Sequence, residues 1–91
     1  MIKLKDIERI SKALGDPHRL KMLQEINKRG WMSCTDVCEL MALAQSSVSH
    51  HAKQLVDAGL VVAEKEGRHV RYAIDKEVFN DYMTFLKAFG E

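Results

Sequence analysis

The sequence predicts a mostly α-helical domain that carries one small β-hairpin, and three features of the chain lead to this prediction. Apolar residues recur at helical spacing in five segments, two shorter segments alternate with period two, and a glycine separates those two. A length of 91 residues is enough for one domain, which we place at residues 1–91. The expected element order is helix, helix, helix, helix, strand, strand, helix.

The first two helices are predicted over residues 4–14 and 17–28. Gly15 ends the first helix, because glycine is a poor helix former. Asp16 and Pro17 start the second, since aspartate accepts hydrogen bonds from free N–H groups and proline lacks the N–H that would go unbonded there. The side chains expected to face inward are Ile7, Ile10, Ala13, Leu14, Leu20, Leu23 and Ile26.

A short third helix and a longer fourth helix follow, and together they occupy residues 35–58. Ser33 or Thr35 can cap the third helix, and Gly59 lies just past the fourth, which we expect over residues 45–58. Two helices joined by a brief turn are typical of a helix-turn-helix, whose second helix enters the DNA major groove. The expected inward side chains are Val37, Leu40 and Met41, then Val48, Ala52 and Leu55.

The fourth helix presents a polar face that is almost free of acidic residues. If Val48 points inward, the advance of 100° per residue turns most of the polar residues of this helix roughly outward. Glutamine can pair with adenine and lysine can reach guanine or phosphate, while serine allows close approach. The candidate DNA-binding residues on this helix are Ser46, Ser49, His50, Lys53 and Gln54, with Gln45 and Ser47 at the flanks.

Residues 60–74 predict a β-hairpin, which would be the wing of a winged helix-turn-helix. The strands are expected over residues 60–64 and 69–74, where apolar side chains alternate, and Gly67 lies in the break between them.

Basic residues cluster near the predicted tip of this wing. We expect Arg68 and Arg71 to contact DNA phosphate or the adjacent minor groove, where arginine is favoured. The alternative is that Glu64 and Glu66 neutralise these cations across the hairpin and leave only a solvated edge.

The last helix is predicted over residues 76–89, with Asp75 as its cap. Its apolar stripe is larger than one small monomer needs, so we expect a second copy of the chain to cover part of it. The stripe consists of Phe79, Tyr82, Met83, Leu86 and Phe89.

Composition narrows the function classes. The net charge is only +1, although basic residues concentrate before residue 30 and the end of the chain is acidic. No apolar run approaches the ~20 residues of a membrane helix, and two cysteines four residues apart do not form a disulfide framework, so we expect a cytoplasmic location. An enzyme is not expected, because the chain lacks a phosphate-binding glycine loop and is short for enclosing a substrate pocket.

Three stretches, LGDPHRLKMLQEI (14–26), AQSSVSHHAKQLVDAGLV (44–61) and EKEGRHVRYAI (64–74), resemble the ArsR/SmtB family of winged-helix repressors. The resemblance implies a homodimer built from the first and last helices (4–14 and 76–89). It also implies operator binding that blocks transcription and release by a small inducer.

The chain departs from the family at its metal sites. Where the family's metalloid motif has two cysteines, this chain has Ser33 and Thr35, with Cys34 between them and Cys38 further on. The other family site needs histidine on the last helix, and residues 75–91 contain none. We therefore assign no metal site from the resemblance.

Cys34 and Cys38 stay open to three interpretations as candidate inducer thiols. They can be apolar packing residues, as free cysteine often is. They can bind a soft metal or metalloid, because thiolates are the ligands that such ions prefer. They can also form a redox switch, in which Cys34 is the more reactive thiol because a helix N-terminus stabilises thiolate.

The sequence thus predicts a sequence-specific regulator that binds double-stranded DNA as a homodimeric repressor. A soft metal, a metalloid or a redox signal would release it from its operator. The alternative is a winged-helix module for protein–protein assembly with no DNA readout, which the small net charge favours.

Overall fold

The computed structural model describes residues 2–91, so Met1 of the predicted domain lies outside the described residues. Five α-helices and a small three-stranded antiparallel sheet form the domain, which confirms the mostly α-helical fold and the order of its helices and hairpin. No helix within this range is long and apolar enough to cross a membrane. The elements are α1 (Leu4–Leu14), α2 (Pro17–Arg29), β1 (Met32–Ser33), α3 (Cys34–Met41), α4 (Gln45–Asp57), β2 (Val61–Glu66), β3 (His69–Ile74) and α5 (Lys76–Lys87).

Side-chain caps begin three of the helices. The Asp16 carboxylate accepts hydrogen bonds from the backbone N–H groups of His18 and Arg19 at 2.8 and 3.2 Å, which starts α2. Of the two residues considered for α3, Ser33 is the cap, and its hydroxyl accepts from the N–H of Asp36 at 3.0 Å. Each cap provides an acceptor for N–H groups that have no partner within their own helix.

The sheet has one strand that the sequence did not indicate. β1 pairs with β3, with Met32 opposite Tyr72, so the strand order is β1-β3-β2. A strand of two residues is too short to show an alternating pattern, and for this reason it was missed. The predicted hairpin is therefore part of a three-stranded sheet.

The first wing strand was placed wrongly at residues 60–64, because β2 runs over Val61–Glu66. Glu66 pairs with His69, which leaves a turn of only two residues, Gly67 and Arg68. Gly67 has φ +62°, a left-handed conformation that a side chain at this position would strain. Near the tip both faces of β2 are exposed and carry charged side chains. This part of the strand therefore shows no alternation of apolar residues, and the sequence did not indicate where it ends.

Helix ends differ from the expectation by one or two residues. α5 ends at Lys87 and the chain tightens into a 3₁₀ turn over Ala88–Gly90, whereas the prediction extended the helix to 89. Such tightening is common where the last carbonyls lack helical partners.

Every helix and the sheet contribute to one core. Ile26, Val37, Val48, Leu55 and Leu60 are completely buried there. The inward placement of Leu20 was wrong, because its side chain is 46% exposed. The helical period gives the direction of a side chain but not the edge of the core, and Leu20 lies just beyond that edge.

Candidate nucleic-acid interface

The inner face of α4 fixes the direction of its outer face. Val48, Ala52 and Leu55 are buried at 0, 3 and 0% exposure, as the helical spacing predicts. Packing on three successive turns holds the helix against the domain and allows little rotation. The seven candidate polar side chains therefore all lie exposed on one side of the helix: Gln45, Ser46, Ser47, Ser49, His50, Lys53 and Gln54.

The N-terminus of α4 has no side-chain cap. Ala44 occupies the capping position, and its carbonyl accepts from the N–H groups of Ser47 and Val48 at 3.0 and 3.1 Å. The preceding N–H groups, those of Gln45 and Ser46, find no side-chain acceptor among the described residues. Free N–H groups at a helix start, together with the helix dipole, favour contact with a phosphate.

Lys53 is the one basic residue on the outer face of α4. Its ammonium group lies 3.2 Å from the carboxylate of Asp57, and both side chains are more than half exposed. A solvent-exposed pair of this kind stabilises a helix by only about 0.3–0.5 kcal/mol. Lys53 can therefore exchange Asp57 for a phosphate at little cost.

The structure separates the two wing arginines. Arg68 lies exposed in the turn, whereas Arg71 lies along β3. The guanidinium of Arg71 stacks at 3.7 Å over the ring of Trp31 and lies 3.6 Å from the carboxylate of Glu66. The contacts of Arg71 thus match the alternative interpretation, in which glutamates neutralise the cations of the wing. They also include a stacking partner, Trp31, that the sequence did not indicate.

His51 follows the predicted DNA contact His50 but turns towards α2. Its Nδ1 lies 3.3 Å from the guanidinium of Arg19, and Arg19 also donates to the carbonyl oxygen of Ala13 at 2.6 Å. Burial lowers the pKa of His51 and outweighs the nearby Asp16 carboxylate, which acts to raise it, while the Arg19 guanidinium lowers it further. These contacts hold α4 against the start of α2. In the sequence, only the helical position of residue 51, which turns its side chain towards the domain, indicated them.

The two thiols lie one turn apart on α3. Both are half-buried and pack against the core, next to Tyr72 of β3. Burial raises the pKa of the Cys38 thiol, and the neighbouring Cys34 raises it further. Burial likewise raises the pKa of Tyr72 to about 12, with contributions from Cys34 and Cys38. Within residues 2–91, no cluster of three or more His, Cys, Asp and Glu ligands includes either cysteine.

Comparison with known proteins agrees with this architecture. A family profile described as a helix-turn-helix domain matches residues 14–63. The arsenical resistance operon repressor of Bacillus subtilis is 33% identical over 81 residues, which cover 89% of this chain and 77% of the relative. That of Staphylococcus xylosus is 37% identical over 80 residues, which cover 88% and 75%.

A solved structure has the same fold at a comparable length. It is an ArsR family transcriptional regulator, 27% identical, which superposes with a TM-score of 0.87 over 98% of this chain and 91% of its own. The profile match spans more than half of the chain and includes both helices of the helix-turn-helix. The chain therefore belongs to the ArsR family of winged helix-turn-helix transcriptional regulators.

Proposed function

We propose that this DNA-binding regulator acts as a homodimeric repressor in the cytoplasm, with α4 of each copy in the major groove of a two-fold operator. The observation that carries the proposal is the outer face of α4, where seven exposed polar side chains follow an uncapped helix N-terminus. The family consists of transcriptional regulators rather than enzymes, which confirms the expectation that the chain is not an enzyme.

The residues divide into two kinds of DNA contact. Ser49 and His50 are exposed polar residues of this face, and we assign them to base edges. The N–H groups at the start of α4 and the exposed Arg68 fit phosphates, which fix position and carry no sequence information. Arg71 stays a weaker candidate, because Trp31 and Glu66 already engage it.

The apolar surface of α1 and α5 supports the dimer. Met83, Leu86 and Phe89 on the last helix and its 3₁₀ end are 59, 38 and 76% exposed, and Leu4 on α1 is 74% exposed. Apolar patches of this kind on a small chain mark an interaction site. A two-fold axis through them would set the two copies of α4 about one DNA turn, roughly 34–36 Å, apart.

Binding to duplex DNA at two salt concentrations tests the proposal. A DNA reader loses affinity steeply as salt rises, because each neutralised phosphate contributes about −0.9 to the slope of log affinity against log salt. Ser49→Ala and His50→Ala should change the preferred sequence, whereas Asn27→Ala, an exposed polar change on α2, should not. Failure to bind any duplex, even in dilute buffer, would show that the interface assignment is wrong.

The alternative, an assembly module without DNA readout, is not favoured by the family. Its relatives are named as repressors, and protein interfaces usually contain aromatic or aliphatic anchors that the outer face of α4 lacks. An assembly module would show weak DNA binding with little dependence on base sequence.

For the inducer, we infer a site at Cys34 and Cys38 that takes a soft metal or metalloid or responds to oxidation. The two arsenical resistance repressors among the relatives support a metalloid. The thiols lie in α3, which packs directly on α4, so a change there can move the DNA-reading face. An ion that binds Cys38 must displace the thiol proton, and the raised pKa of Cys38 makes that displacement harder.

The double variant Cys34→Ser/Cys38→Ser tests this site. With the parent protein, arsenite, zinc or peroxide should weaken DNA affinity by about 5–150-fold, the usual range of allosteric coupling. The double variant should bind DNA normally and lose that response. If release is unchanged in the variant, the cysteines serve only as packing residues and the inducer binds elsewhere.

A further inference from the structure

Three metal-ligating side chains meet where α4 touches the start of α2. Asp16 and His18 belong to the start of α2, and His51 reaches them from α4. One ligand atom from each lies within 4.8 Å of the other two, and no other group of this kind occurs among residues 2–91. This cluster is separate from the outer face of α4 and from the thiols of α3.

Local contacts hold two of these side chains in place. Oδ1 of Asp16 accepts from the backbone N–H groups of His18 and Arg19 at 2.8 and 3.2 Å. The side chains of His51 and Asp16 are only 15 and 29% exposed.

The geometry needs only a small adjustment. The rings of His18 and His51 lie 5.3 Å apart in an edge-to-face arrangement, and Nδ1 of His51 lies 4.0 Å from Oδ1 of Asp16. Ligand atoms on a tetrahedral zinc, with bonds of about 2.0–2.1 Å, lie roughly 3.4 Å apart. His18 is exposed, so rotation of its side chain can close the remaining distance.

We propose that Asp16, His18 and His51 bind one divalent transition-metal ion such as Zn²⁺, with water at the remaining position. Two imidazoles and one carboxylate are a ligand set that zinc accepts when a further position is open. The ion would replace the contact between Arg19 and His51, and it would join the DNA-reading helix α4 to α2. The Arg19 guanidinium repels a second cation, so we expect its charge to weaken metal binding.

The full-length Cys34→Ser/Cys38→Ser chain provides a background without thiol ligands. Titration with Co²⁺, followed by visible absorption, and with Zn²⁺, followed by calorimetry, should give one ion per chain near neutral pH. Asp16→Asn, which keeps a capping side chain, and His18→Gln, at an exposed position, should each weaken binding by at least ~10-fold. Binding should also weaken as the pH falls below about 6, because protonated histidine is not a ligand.

The matched controls are His50→Gln, one residue from the cluster, and His69→Gln in the wing, and both should bind like the background chain. The same Zn²⁺ titration of the parent chain, followed through its imidazole NMR signals, should perturb His18 and His51 and gives a measurement that does not depend on the serine substitutions. Absence of binding, unchanged affinity in Asp16→Asn and His18→Gln, or an equal loss in His50→Gln would overturn the proposal. None of these measurements uses DNA, so they are independent of the operator assignment.

Discussion

His50 and His51 are neighbours in sequence but meet different surroundings. His50 is exposed on the outer face of α4, whereas the side chain of His51 is only 15% exposed and faces Asp16 and Arg19. One residue of helical advance, about 100°, accounts for the difference. The same residue type is therefore free to face solvent at one position and links two helices at the next.

Stability should decline in mild acid because of His51. Its pKa in the folded chain lies below the ordinary value of 6.5, so the unfolded chain takes up the proton first as the pH falls. The free energy of unfolding should thus be constant above about pH 6.5 and decrease below it until the pH reaches the folded-state pKa. The lowered pKa of Asp16 adds a second loss of stability below its ordinary value of 3.8.

Urea unfolding at about pH 7 and about pH 5 tests this dependence. Between the two, the free energy of unfolding should decrease less in His51→Gln than in the parent. The exposed His50→Gln should follow the parent, and a parent-like decrease in His51→Gln would contradict the assignment.

Ala44→Ser should stabilise the chain. Ala44 has the extended conformation of a helix cap but no side chain to accept a hydrogen bond, so serine should raise the free energy of unfolding by about 1 kcal/mol. Ser33→Ala is the opposite control, since it removes the bond to Asp36 N–H and should cost about 1 kcal/mol. Urea unfolding at a fixed protomer concentration measures both. No gain from Ala44→Ser would mean that the backbone at this end of α4 differs from the described one.

At the scale of single elements, the wing combines a solvent-exposed cation with a structural one. Its tip presents Arg68 to solvent on a two-residue turn. Its inner strand, β3, lies between β1 and β2 and holds Arg71 against Trp31. Replacement of the two arginines should therefore have different effects.

Arg68→Ala should weaken binding to all duplex sequences alike. The slope of log affinity against log salt should become shallower by about 0.9 for each phosphate that the variant no longer neutralises. Arg71→Ala should instead lower stability by about 0.5–1 kcal/mol, because it removes the stacking on Trp31, and should change the salt slope less. Binding isotherms at several salt concentrations and urea unfolding distinguish the two. Equal changes of slope would place Arg71 on the DNA as well.

At the scale of the whole molecule, the exposed apolar surface and the proposed DNA surface lie on different elements. The exposed apolar side chains of α1 and α5 are separate from the polar face of α4. A homodimer through the first surface leaves the second free in both copies, which a two-fold operator requires.

Met83→Glu should convert the proposed homodimer to monomer, because it would place a charge in the apolar interface. Loss of the second half-site should weaken operator binding by about 100-fold or more. Analytical ultracentrifugation and DNA titration measure the two effects. Val62→Glu, at an apolar residue that is 44% exposed on β2, is the control and should remain dimeric. A Met83→Glu protein that stays dimeric would exclude α5 from the interface.

Local pattern determined the helices, the helix-turn-helix and the outer face of α4. Helix caps, glycine stops and the inward direction of Val48 all depend on residues a few positions apart, so each could be read from short windows. Boundaries deviated by one or two residues where local signals are weak, as at the ends of β2 and α5.

The tertiary structure sets which distant residues meet. It paired Met32 with Tyr72 in the added strand, stacked Arg71 on Trp31, and brought His51 to Asp16. The helical period states which way a side chain points but contains no information on what the rest of the chain places in front of it. Which residues lie opposite a given side chain depends on how the helices and the sheet pack around their common core. For this reason the candidate metal cluster could not be predicted from the sequence alone.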